Sequence, residues 1–298
     1  MTEPFQPLSV RTGKREPLTF VEGIPEHFHG AAIEWVASEL RDSGDDNKII
    51  RTVAQLRIPP IRSDRDVPAL QDYERVTAYC EKDDEAFLDV IDYLLNDRIV
   101  WIDVAWREDR LSGTVREIND ILTWGASCWK VGVKDANIDF DEGPAVRHEL
   151  MRRVQEVTEK AYLQALDIEG NAPDYLMTAW HAAYGRKEDP ATVWASSLSA
   201  VEAAVQPIVA PKNPQASLGM LRQMILGAED KWNCDLPVWG DKDTTPVRAF
   251  VQCLSRVTNN DGRHGGDGRA PDMTQARAVL AQAITICEWM RAEVFREK

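Results

Sequence analysis

Met273, Ala276, Leu280, Ala283, Cys287, Met290 and Val294 recur at intervals of 3, 4, 3, 4, 3 and 4. Only an α-helix brings such positions onto one face, so 273–294 is expected to be helical. The same period appears three times upstream, as Trp194, Leu198, Val201, Val205 and Ile208, as Leu218, Leu221 and Ile225, and as Val247, Phe250, Leu254 and Val257. Each run has a start signal: Asp189-Pro190, Asn213-Pro214, Thr245-Pro246 and Asp272. A capping oxygen with proline in the first turn satisfies backbone groups that a helix start leaves open. Pro207 and Pro211 are expected to end the first of these helices. Four capped amphipathic helices over 188–298 predict an up-and-down four-helix bundle.

The first half reads differently. Residues 1–25 are proline-rich and irregular. Helical spacing returns over 31–41, weakly over 47–58 until Pro59 and Pro60, then over 84–96 with Asp83 or Asp84 as cap, and over 107–122. At Trp129, Val131 and Val133 the period becomes two, the signature of a half-buried strand. Asp135-Ala136-Asn137 can turn it into a short partner ending at Phe140, giving a β-hairpin. A helix of about 20 residues is expected after Pro144 and a shorter one over 173–184. The fold class expected is mainly α: an N-terminal α+β accessory or sensor domain over 1–143, a helical connector over 144–187, and the bundle.

Charge divides the chain in the same way. The net charge of −14 lies wholly in residues 1–195, which carry 23 basic and 37 acidic side chains, whereas Ser196 to the end carries 12 of each. An acidic surface repels phosphate backbones, so any nucleic-acid contact belongs to a local pocket in the neutral part. No apolar run reaches the roughly 20 residues of a membrane span, and residues 1–18 lack a secretory apolar core. Five cysteines without a CxxC pair predict neither a disulfide framework nor a thiolate zinc site, and point to the reducing cytoplasm.

The segment 258–272, TNNDGRHGGDGRAPD, concentrates the candidate chemistry. Four of the seven residues from Gly262 to Gly268 are glycine, which lets backbone approach a ligand closely. Among them stand Arg263 and His264, with Arg256 upstream and Asn259, Asn260, Gly262 and Gly265 as substrate-binding candidates. Histidine moves protons near neutral pH, and a guanidinium stabilises charge developing on phosphorus. The plainer alternative is a glycine-rich loop whose histidine caps the fourth helix. His27 and His29 have metal-compatible spacing but no evident third ligand. There is no P-loop, no GxGxxG after a strand and no GxSxG elbow, so no cofactor is expected. Trp35, Trp180, Trp194 and Trp289 read as core, and DFDEG at 139–143 as a solvated loop.

These residues carry a resemblance. The AVEAAVQPIV helix (Ala200–Val209), the SLG step at Ser217–Gly219 and the GRHGG loop at Gly262–Gly266 resemble the C-terminal helical domain of abortive-infection proteins of the HEPN class. LSVRTG (Leu8–Gly13), the helix around Glu34-Trp35, INDILTWGASCWKV (Ile118–Val131) and AWHAAYGRKEDP (Ala179–Pro190) are similar to the region that accompanies it. The resemblance implies a bacterial antiphage defence protein. Its helical domains pair as homodimers and bring two Arg/His motifs together to cleave RNA without metal. His264 would then be general acid/base, Arg263 or Arg256 would hold the phosphate, and the N-terminal domain would sense a phage or host trigger. Here seven residues separate Arg256 from His264, and apolar Val257 stands where the family places a polar residue. The resemblance therefore implies two alternatives, an endoribonuclease or a non-catalytic module binding RNA, nucleotide or a partner.

Overall fold

The computed structural model describes residues 8–14, 19–41, 47–60, 68–98, 100–101, 113–140, 143–238, 244–258 and 272–298. The chain is mainly helical, and it divides into two compact units between Arg153 and Val154. None of its described helices is long and apolar enough to cross a membrane.

The first unit contains α1 (Leu8–Arg11), α2 (His29–Arg41), α3 (Lys48–Gln55), α4 (Pro68–Cys80), α5 (Asp84–Asp97), β1 (Val100–Trp101), α6 (Gly113–Trp124), β2 (Trp129–Phe140) and β3 (Gly143–Arg152). The strands form an antiparallel sheet in the order β1-β3-β2. Helix α5 lies on β3, α6 on β2, and α2 packs with both helices. Asp83 starts α5 by accepting the Ala86 amide at 2.7 Å. The helix then buries Phe87, Leu88, Val90, Ile91, Leu94 and Leu95 in the core of the unit. Helix side chains also guard the sheet: Asp92 accepts the Leu150 amide at 2.7 Å and Asn119 the Val131 amide at 3.1 Å.

Two sequence expectations change here. Residues from Pro144 form β3 rather than a helix, because Val146, His148 and Leu150 are buried at period two. Asp135-Ala136-Asn137 does not turn the chain. β2 runs on to Phe140, and the irregularity appears as register shifts between Val133 and Asp135 and between Ala136 and Ile138. Turn-forming residues have become bulges in a longer hairpin.

The second unit contains α7 (Glu156–Ala165), α8 (Ala172–Tyr184), α9 (Pro190–Val209), α10 (Leu218–Gly227), β4 (Trp232–Cys234), α11 (Pro246–Thr258), α12 (Met273–Arg291) and β5 (Phe295–Glu297). Helix α9 packs with α8, α10, α11 and α12, and α12 also receives α7 and α8. The region expected as a connector thus places α7 and α8 against the C-terminal helices. Asp189 accepts the Ala191 and Thr192 amides at 3.0 and 3.2 Å, Thr245 Oγ1 the Arg248 amide at 3.2 Å, and Asp272 the Gln275 amide at 2.8 Å. Asn213 starts no helix: its Oδ1 accepts the Gln215 amide at 3.3 Å, and α10 begins after Ser217. Pro207 lies inside α9, which continues to Val209. Arg277 ties α12 to the end of α8, donating to the Ala183 carbonyl at 2.8 and 3.1 Å and to Glu188 at 2.6 Å.

The sequence reading missed β4 and β5. Their antiparallel ladder sets Cys234 opposite Phe295, whose ring stacks on Phe250 at 4.4 Å and on Trp232 at 5.3 Å. Phe295 is fully buried. Phe295→Ala should therefore cost about 3–5 kcal/mol, read as a lower urea midpoint. A loss below about 1 kcal/mol would show that the ring does not anchor this corner.

Two carboxylates give the second unit an acid-sensitive component. Hydrogen bonds from Thr192, then from backbone amides, hold Asp189 below its ordinary range. Thr245 and then Arg248 do the same for Glu229. Groups depressed by folding stabilise above their unfolded titration, and this contribution disappears as pH falls through the folded values, below about pH 4. Combining Asp189→Asn with Glu229→Gln should flatten the acid limb of a Tm-against-pH curve. An unchanged limb would refute the assignment.

Candidate functional site

Helix α11 leads into the glycine-rich segment, and its apolar spacing decides which way its last arginine faces. Val247, Phe250, Val251, Leu254 and Val257 are buried, which leaves Arg256 exposed in the final turn. The guanidinium favours the nearby Cys253 thiolate, although burial is the larger effect and raises that thiol overall. Asn259, Asn260, Gly262, Arg263, His264 and Gly265 lie outside the described residues. Their segment joins α11 to the capped start of α12, and these two helices pack on one another. Of the expected catalytic residues, the structure places Arg256.

Other sequence candidates resolve individually. His27 sits beside Phe28 with ring centroids 4.8 Å apart, and His29 meets Phe87 edge-on, also at 4.8 Å. Among the described residues, no group of three or more His, Cys, Asp or Glu side chains could hold a metal ion. His148 is fully buried in β3, and His181 lies on α8. Trp35 and Trp180 are core residues, with Trp180 stacked on Tyr162 at 4.1 Å. Trp194 and Trp289 are half-buried. Ile286 of α12 is fully buried within its own unit.

The first unit holds a groove that the sequence reading did not find. It has a volume of ≈ 490 Å³ and is lined by Val21, Ile24, Pro25, Glu26, His29 and Asp84. Its polar groups are two carboxylates and an imidazole, so a charged group entering it would meet negative potential. The chain bends there at Gly23, whose carbonyl accepts Ser127 Oγ at 2.8 Å. The sequence signal was the Gly-Ile-Pro step before Glu26, which by itself indicates only a bend.

Gly23 is held by space. A Cβ built there would stand 2.0 Å from Asp84 Oδ2 and 2.6 Å from Asp84 Cβ. Gly23→Ala must displace the first turn of α5, and the expected loss is about 1–3 kcal/mol. Thermal unfolding of Gly23→Ala beside Gly30→Ala, a position with nothing within 4 Å of a built Cβ, isolates the effect. Equal stability of the two variants would refute the close approach. Comparison with known proteins adds no assignment: no family model, no curated protein and no solved structure matches the chain.

Proposed function

We propose that this chain is an abortive-infection defence protein of the HEPN-like kind, whose second unit carries a HEPN-like helical bundle that cleaves RNA without metal. The observation that supports it most directly is the placement of Arg256. This arginine stands on the exposed face of an amphipathic helix, in its last turn, at the start of the segment carrying Arg263 and His264. That segment returns the chain to α12, so its two ends belong to helices that pack together. His264 acts as general acid/base on the 2′-hydroxyl, and Arg263 or Arg256 stabilises the charge on phosphorus. Asn259, Asn260, Gly262 and Gly265 position the substrate. Two copies bring two such segments together, and the acidic first half senses the trigger. A cytoplasmic protein meets its RNA without secretion.

The second reading keeps the architecture and removes the chemistry. Val257 follows Arg256 as a buried apolar residue, where a polar group would be needed to orient substrate. In that case the unit binds RNA, nucleotide or a protein partner.

Incubating pure protein with total RNA separates the two. Cleavage that persists in EDTA, leaves 2′,3′-cyclic phosphate ends and disappears in His264→Ala supports the nuclease. Arg263→Lys and Arg256→Lys identify the phosphate-stabilising group, whose loss should slow single-turnover cleavage by about 100- to 1,000-fold. Absence of cleavage by the folded protein, or cleavage that EDTA abolishes and magnesium restores, overturns it.

A further inference from the structure

The five cysteines fall into distinct environments once the chain is folded. Cys80 and Cys287 are fully buried, and burial pushes both thiols up to about 12. Cys128 is half-buried in the first unit, raised by burial and then by Glu22. Cys234 and Cys253 are different: both are half-buried and unbridged, and both belong to one corner of the second unit.

The fold brings these two together across 19 positions of sequence. Cys234 ends β4 directly opposite Phe295 of β5, and paired residues on adjacent strands project from the same face. Phe295 stacks on Phe250 of α11 at 4.4 Å with 12° between the rings. Cys253 follows Phe250 by three residues and so shares its face of the helix. Both thiols therefore flank the same aromatic stack, and α11 packs on β4. We propose that Cys234 and Cys253 form an oxidisable dithiol that a small-molecule disulfide converts to an intrachain bridge.

The exchange balances in two steps. Cys253 attacks as thiolate on one sulfur of glutathione disulfide, breaking its S–S bond. This gives a Cys253–glutathione mixed disulfide and a glutathione thiolate that takes a proton. Cys234, as thiolate, then attacks Cys253 Sγ and expels the second glutathione. The two cysteines lose two electrons and the disulfide gains them. Cys253 is drawn as the attacking group: Arg256, one turn on, favours its thiolate with no opposing charge, whereas at Cys234 the Leu236 amide and Arg296 are opposed by Asp235. Burial raises both thiols, so the exchange accelerates with pH, by about tenfold per unit below the thiol's own value. This chemistry is independent of the nuclease reading.

The test uses the full chain with glutathione disulfide at pH 8, an acid quench, thiol counting in denaturant and non-reducing peptide mapping. Titratable thiols should fall from five to three, with one cross-linked peptide pair joining positions 234 and 253. Cys234→Ser should stop at a stable glutathione adduct on Cys253, and Cys253→Ser should give no bridge. Five persistent thiols, separate glutathione adducts in the unsubstituted chain, or a bridge to another cysteine would each overturn the proposal. If a serine variant unfolds, the peptide map of the unsubstituted chain still decides.

Discussion

Helix α9 presents a hydrophobic stripe too wide for a single neighbour. Its buried residues, Val193, Ser197, Leu198, Ala200, Val201, Ala204, Val205 and Val209, spread over about half of the circumference at 100° per residue. An amphipathic surface helix uses a narrower face, so α9 requires several partners to keep this surface from water. It has four, and α8, α10, α11 and α12 are arranged by that need. The small side chains at 197, 200 and 204 let neighbouring helices come close. The outer fastenings, Arg277 on the Ala183 carbonyl and the Phe250–Phe295–Trp232 stack, hold elements that α9 has already gathered.

The first unit is organised around a buried charge instead. Glu39 of α2 is buried, and a carboxylate taken out of water persists only with partners. Lys48 at the start of α3 donates to its side chain at 3.3 Å and to its carbonyl at 2.9 Å, and Arg98, after α5, bonds its other oxygen. Three elements thus meet at one carboxylate. Losing one partner of such a buried pair costs roughly 3–5 kcal/mol, whereas the intact group adds little net stability and mainly fixes arrangement. α2, α3 and α5 could slide along an apolar interface, but they cannot slide past Glu39.

Local signals carried much of this architecture into the sequence. Asp83, Asp189 and Asp272 announce the helices they cap, and the 3, 4 spacing places α5, α11 and α12 within a residue or two. What escaped was set by distant partners. β5 is three residues long and has strand character only because β4 lies beside it. The buried face of α9 keeps the expected Leu198, Val201 and Val205 but widens to take in Val193, Ser197, Ala200 and Ala204, while Trp194 is half-buried, because several neighbours cover it. β3 was concealed because His148 and Glu149 interrupt its apolar pattern, although His148 is buried. The groove beside Gly23 was illegible for the same reason: Glu26, His29 and Asp84 meet across more than 50 positions. For the Arg/His segment the sequence offered composition, and the structure adds the position of Arg256.

Gly132 in β2 ties the sheet to a side chain on its neighbour. A Cβ built there would lie 2.3 Å from Met151 Sδ, so the thioether of β3 occupies the room that glycine leaves. The two positions share a single volume. A side chain at 132 must turn the Met151 thioether out of this room, and a shorter 151 beside glycine leaves a hole, so each change bears on the other. Related chains should show the two exchanging bulk as a pair, so that one position predicts the other wherever this hairpin has been kept.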